Sequence, residues 1–140
     1  MEDAKKRLEI LIDNTLQVLD HMVVDSEYNE MLQSIKSGLS EQKRKAAAFS
    51  NNTNEELKNE ALAMTKTLSE INNKVQELET NLMEDYKKST GNRIEAYENL
   101  SIDEQREQAE SYHDKIDYLS AVKVRENIND MNEILSKIMS

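Results

Sequence analysis

The chain has 140 residues, a formal net charge of -10, and neither cysteine nor proline. The lack of cysteine excludes disulfides, thiolate metal sites and cysteine nucleophiles, and the acidic balance argues against direct binding of nucleic acid. With only two glycines and no proline, the chain has few residues that would interrupt a helix. One Phe and no Trp are too few large aromatic side chains for a thick core. We therefore predict a single all-α domain over residues 1–140, which is an elongated coiled coil or a long antiparallel three-helix bundle. Partner chains can complete the core of this bundle.

The first predicted helix covers about residues 3–48 and carries two apolar seams that differ in phase. Its N-terminal part has a broad apolar face, which needs more than one packed helix to cover it. After this face the phase slips at Asp25-Ser26, which overwinds a coil or marks a hinge. A second seam follows from Tyr28 to Phe49, and Gly38 and Gln42 weaken it, which favours sharing with a partner chain. The broad face contains Leu8, Leu11, Ile12, Leu16, Leu19, Met22 and Val23.

The second predicted helix covers about residues 54–89 and has the most regular pattern in the chain. Thr53 and Glu56 have the spacing of a capping box at its start, and Gly91 suits the left-handed position just past its end. Apolar residues alternate four- and three-residue steps, which predicts a narrow coiled-coil seam. The seam consists of Leu57, Ala61, Met64, Leu68, Ile71, Val75, Leu78 and Leu82.

The third predicted helix covers about residues 102–138 and begins with a second capping box, Ser101 and Glu104. Like the first helix, it has two seams separated by a phase slip. In an up-down-up bundle the first and third helices run parallel, and the two slips would fall at similar heights. The N-terminal seam is Ile102, Ala109, Tyr112, Ile116 and Leu119, and the C-terminal seam is Val124, Ile128, Met131, Leu135 and Ile138.

The chemical motifs in the sequence are weak, and we expect neither an enzyme nor a bound metal or cofactor. Glu110 and His113 have the spacing of a di-iron ligand pair, but such a site needs a second Glu-x-x-His pair. The other histidine, His21, has Val18 in place of a glutamate three residues before it. The Asn-rich stretch 127–133 lacks the glycine of a calcium loop and is expected to be a polar helix flank. No apolar run has membrane-spanning length and no signal peptide is recognisable, so we expect an intracellular protein, cytoplasmic or nuclear.

Two functional hypotheses fit these patterns. In the first, the chain is a structural subunit of a hetero-oligomeric assembly of the kinetochore, cytoskeletal or tethering kind, and its apolar seams pack against helices of protein partners. In the second, it is a three-helix trafficking or fusion module that opens and closes over a partner helix. A third interpretation is a self-contained three-helix repeat that resembles the spectrin type, although the lack of tryptophan departs from that pattern.

Overall fold

The computed structural model describes residues 2–49, 54–90 and 101–140, with side chains at 3–49, 54–87, 101–103 and 115–140. The described residues form helices that pack against one another and contain no strand, which confirms the all-α prediction. The second and third predicted helices are observed with nearly the predicted bounds, whereas the interruption at 50–53 and Gly91 lie outside the described residues. The helices are α1 (Glu2–Asp20), α2 (Asn29–Ala47), α3 (Asn54–Thr90) and α4 (Ile102–Met139).

The prediction of one continuous helix over about residues 3–48 is wrong, because the chain reverses between α1 and α2. The amide of Met22 donates to the carbonyl of Leu19 at 3.2 Å, which tightens the last turn of α1. Asp25 then has an extended backbone (φ -60, ψ 154), and a short 3₁₀ turn, Ser26–Tyr28, leads into α2. The phase slip seen in the sequence is therefore a chain reversal, and not an overwound coil.

Two ion pairs show that α1 and α2 run antiparallel. Lys36 lies 3.3 Å from Asp20, and Lys43 lies 2.7 Å from Asp13. A step of seven residues forward along α2 therefore corresponds to a step of seven residues backward along α1. In each pair at least one side chain is about half exposed or more, and ion pairs at the surface contribute at most about 1 kcal/mol to stability. They therefore report the direction of the hairpin, while its stability comes from the buried seams.

The α1 helix also runs antiparallel to α4, which corrects the expected parallel arrangement of the first and third helices. Asn127 of α4 donates to Thr15 Oγ1 at 3.1 Å in the core, and the Val23 amide donates to Asp117 at 3.1 Å. The Thr15 hydroxyl in turn donates to the Leu11 carbonyl at 2.7 Å, so it both gives and receives a hydrogen bond. With the predicted first helix folded back, the described residues form an up-down-up-down bundle of four helices.

The α3 helix packs antiparallel to both α2 and α4 and carries the most regular part of the core. Lys74 donates to Ser34 at 2.8 Å towards α2, and Arg125 donates to Glu79 at 2.8 Å from α4. Asn72 donates to Asn129 at 3.1 Å, seven residues earlier on α3 and four residues later on α4. In this register Thr90, the last residue of α3, lies opposite the region of residue 112, so the start of α4 extends past α3.

Gly38 allows a close approach between α2 and α3. A Cβ atom at this position would lie 2.8 Å from Ile71 Cδ1 and 3.1 Å from Cγ1, and Ile71 is itself buried. From the sequence, Gly38 is expected to weaken the second seam of the first helix. In the structure its missing side chain makes room for a residue of the α3 seam.

Gly38→Ala tests this contact. Alanine in a helix interior is about 1 kcal/mol more favourable than glycine, but the overlap with Ile71 offsets that gain. In an Ile71→Val background Cδ1 is gone, so Gly38→Ala is expected to raise the free energy of unfolding by about 1 kcal/mol more than it does in the natural chain. Urea unfolding measures the difference. Ile128→Val, a change in a buried isoleucine of α4, is the control background, and an equal effect of Gly38→Ala in all three backgrounds contradicts the contact.

Candidate interaction surface at one end of the bundle

The residues predicted to form helix–helix interfaces lie mainly inside the bundle of this chain. The α3 seam is buried from Leu57 to Leu82, and the C-terminal seam of α4 is buried from Val124 to Ile138. Val23 departs from the prediction, because it lies in the chain reversal and is 76% exposed. The rest of the broad face on α1 is buried or packs against the core, and it consists of Leu8, Leu11, Ile12, Leu16, Leu19 and Met22.

The N-terminal seam of α4 behaves differently, because its described members are not covered. Ile102, Ile116 and Leu119 are 74%, 43% and 51% exposed, whereas Ala121 and Val124 one turn later are buried. The side chains of Ala109 and Tyr112 lie outside the described ones. The phase slip predicted in the third helix therefore coincides with the end of the bundle core.

A hydrogen bond from the chain reversal marks where the core ends. The Val23 amide donates to Oδ1 of Asp117, which is a buried residue. The Val23 amide lies in the reversal, beyond the backbone hydrogen bond from Met22 that closes the last turn of α1, and the Asp117 carboxylate supplies its acceptor. The bond fixes the reversal against α4 at this height and leaves the Val23 side chain at the surface.

A second hydrogen bond ties the reversal to α3. The Tyr28 hydroxyl donates to Oδ2 of Asp85 at 2.7 Å. This bond raises the pKa of Tyr28 well above its usual range, and partial burial and the negative charge of Asp85 act in the same direction. Sequence spacing cannot identify this pair, because Tyr28 and Asp85 lie 57 residues apart in the chain.

Three carboxylates meet beside this bond. Oxygen atoms of Asp25, Glu27 and Asp85 all lie within 4.8 Å of one another, and the first two residues are exposed. Oxygen sets of this kind are used by hard cations, although here Asp85 is already engaged by Tyr28. The three side chains therefore concentrate negative charge at this end of the bundle.

The other candidate sites of the sequence take structural positions or lie outside the described side chains. His21 is exposed and its Nδ1 lies 2.7 Å from the Gln17 carbonyl, and the side chains of Glu110 and His113 are not among those described. Asn127, expected on a polar flank, is buried against Thr15. The signal that places Asn127 in the seam is its spacing, three residues after one seam residue and four before the next.

No family model matches the chain, and neither a curated protein nor a solved structure gave a match. Among the described residues, none of the helices has the apolar length needed to cross a membrane.

Tyr28→Phe tests the tie between the reversal and α3. Loss of the hydrogen bond to Asp85 is expected to lower the free energy of unfolding at pH 7 by about 1 kcal/mol. Because the pKa of Tyr28 is raised in the folded state, the contribution is full below the usual tyrosine pKa of about 10 and declines above it. The stability difference between natural chain and variant should therefore be constant from neutral pH to about pH 10 and shrink at higher pH.

Chemical unfolding at a series of pH values measures this difference, and Asp85→Asn provides the matched background. In that background Tyr28→Phe should cost less, because the carboxylate acceptor is gone. A cost that is the same in both backgrounds would show that the hydroxyl stabilises the fold through something other than Asp85.

Proposed function

We propose that the protein is a non-enzymatic interaction subunit of a hetero-oligomeric intracellular assembly, of the kinetochore, cytoskeletal or tethering kind, and that it acts by packing its helices against helices of other chains. The observation that carries the proposal is the exposure of the described residues in the N-terminal seam of α4. Ile116 and Leu119 lie at heptad spacing on a helix and are 43% and 51% exposed. Apolar side chains that are repeated along one helix face and left in water favour a partner that buries them.

The lengths of the helices support the same conclusion. The α1 and α2 helices have 19 residues each, whereas α3 and α4 have 37 and 38. At 1.5 Å per residue the short helices cover about half the length of the long ones. The α1–α2 hairpin therefore covers only part of the longer α3–α4 hairpin. The uncovered segment of the longer hairpin can pack against helices of a larger assembly.

The buried α3 seam is less suited to this role, although it has the most regular heptads. Leu68 is completely buried among helices of the same chain, and an aspartate there would leave a charge without a partner in the core. Substitution of Leu68 would therefore unfold the bundle, and any loss of binding would follow from unfolding. The exposed residues of α4 can be changed without that consequence.

A second candidate function, a trafficking or fusion module that opens over a partner helix, is favoured by a separate observation. Buried side-chain oxygens of Gln42, Asn72 and Asn132 have no hydrogen-bond partner among the described residues. A buried acceptor without a donor costs about 1–3 kcal/mol. Such groups lower the free energy needed to lift the α1–α2 hairpin from α3 and α4, after which a partner helix can take its place.

The assembly proposal predicts a defined complex in the cells that make the protein. The chain tagged at native abundance should elute as a complex of larger mass than a single chain and retain protein partners in fixed stoichiometry. Ile116→Ser together with Leu119→Ser should release it as a monomer with an unchanged melting temperature, because both side chains are exposed. Leu62→Ser, at a residue 48% exposed on α3, is the matched control and should keep the complex. A natural chain that elutes as a free monomer contradicts the proposal.

The opening module predicts a different response, seen with Gln42→Leu. Removing the unpaired acceptor from the core should raise the free energy of unfolding by about 1 kcal/mol. It should also slow amide exchange in α2, because the closed bundle becomes more favourable. Gln33→Leu, at an exposed position of the same helix, is the control and should do neither. If Gln42→Leu destabilises the chain, its amide has an unrecognised structural role and the bundle is not held in a weakly closed state.

A further inference from the structure

A groove between α1 and the C-terminal half of α4, which we call the α1–α4 groove, has an apolar floor. Its volume is about 350 Å³. Leu11, which is partly buried, and Ile134, which is buried, form the floor. Ile10 lines the same groove and is 54% exposed. A single exposed isoleucine is common on protein surfaces, so the charges around the groove decide whether it binds anything.

Four exposed charged residues surround the groove, two of each sign. Arg7 and Lys137 are the cations, and Asp130 and Glu133 are the anions. Among the described residues none of the four takes part in an ion pair, although Glu133 and Lys137 lie one turn apart on α4. The four charges cancel, so the groove is locally neutral in a chain with a net charge of -10.

The two signs are separated along the groove. Thr15 of α1 contacts Asn127 of α4, and the two helices run antiparallel. Arg7 lies eight residues before Thr15, so it is level with the position eight residues after Asn127. Arg7 and Lys137 therefore lie towards the outer end of the groove, and the two carboxylates lie further in, nearer the middle of the bundle.

This order of charges favours a second copy of the chain over other occupants. A twofold axis through the groove reverses the order, so the cations of each copy lie against the carboxylates of the other. Interfaces with twofold symmetry need a patch that is complementary to itself in this way. A helix with charges of one sign would meet like charges in one half of the groove, and like charges across an interface disfavour association.

We propose that two copies of the chain associate through their α1–α4 grooves, with Arg7 and Lys137 of each copy against Asp130 and Glu133 of the other. Ile10 then lies over the apolar floor of the opposite groove. The inference is independent of the proposed function, because it uses the other end of α4. A contact confined to one groove is at the small end of protein interfaces. It forms when two copies are concentrated, as within one assembly, while a dilute free chain is a monomer.

Charge reversal tests the groove on the full-length chain. Arg7→Glu with Lys137→Glu makes all four charges negative, and Asp130→Lys with Glu133→Lys makes all four positive. Sedimentation equilibrium up to about 1 mM should show a monomer–dimer equilibrium for the natural chain, and association at least about tenfold weaker for each variant alone. An equimolar mixture of the two variants should form a one-to-one dimer at least about tenfold tighter than the natural one, because every facing pair is then of opposite charge.

Exposed residues of α3 provide controls that change the net charge of the chain by the same amounts. Lys58→Glu with Lys66→Glu is the negative control, and Glu60→Lys with Glu70→Lys is the positive one. At about 0.15 M salt each should associate as the natural chain does, because distant surface charges are screened. Mixing the two controls should not strengthen the association.

The apolar part of the contact is tested separately. Ile10→Ser should weaken the association of the natural chain by about tenfold. Leu62→Ser, on another exposed apolar residue, should associate as the natural chain does. Circular dichroism should give the same helix content and melting temperature for both variants, because both side chains are exposed.

Three outcomes overturn the proposal. A natural chain that stays monomeric up to about 1 mM has no such interface. A natural dimer whose reversed variants fail to pair on mixing associates through another surface. Equal pairing of the two control variants means that net charge drives the association without the groove. The proposed function stands in each case, because the cellular complex tests it through Ile116 and Leu119.

Discussion

The antiparallel packing of α1 against the C-terminal half of α4 determines where the core of this protein begins and ends. It depends on the reversal between Asp20 and Asn29 and on the buried hydrogen bond between Thr15 and Asn127. Once α1 has turned back, two short helices cover one part of a longer α3–α4 hairpin. The end of the core near Asp117 and the exposure of the described residues at the start of α4 both result from that difference in length.

The polar groups inside the bundle help to fix this arrangement. Thr15 and Asn127 pair across α1 and α4, and Asn72 and Asn129 pair across α3 and α4. A shift of either helix by one turn would leave these groups buried without partners, at a cost of about 1–3 kcal/mol each. Polar pairs of this kind select one register among the several that a leucine-rich seam permits. Gly38 contributes in another way, because a Cβ atom at this position would overlap the end of the Ile71 side chain in the α2–α3 contact.

The local parts of the structure can be predicted from the sequence, and the long-range parts cannot. The α3 seam follows a strict heptad pattern, so its helix and buried face are evident from spacing alone. The step from Met22 to Tyr28 is compatible with both a continuous, overwound helix and a break, and the choice depends on contacts with α4 about a hundred residues away in sequence. The carboxylates of Asp25, Glu27 and Asp85 also come together only through the tertiary fold, because Asp85 lies on α3 and the other two lie in the reversal. The N-terminal seam of the third helix can be recognised from its spacing, but its exposure depends on how far α1 and α2 extend.

Amide hydrogen exchange of the isolated chain in native buffer is the most direct test of a core that ends within α4. Amides of residues 121–138 should exchange only through global unfolding, together with the cores of α1, α2 and α3. Amides of residues 106–116 should exchange much faster, with the boundary between Ile116 and Ala121, because the described side chains of the N-terminal seam of α4 are exposed. Uniform protection along the whole of α4 would mean that the chain buries the N-terminal seam of α4 by itself, and it would contradict a core that ends near Asp117.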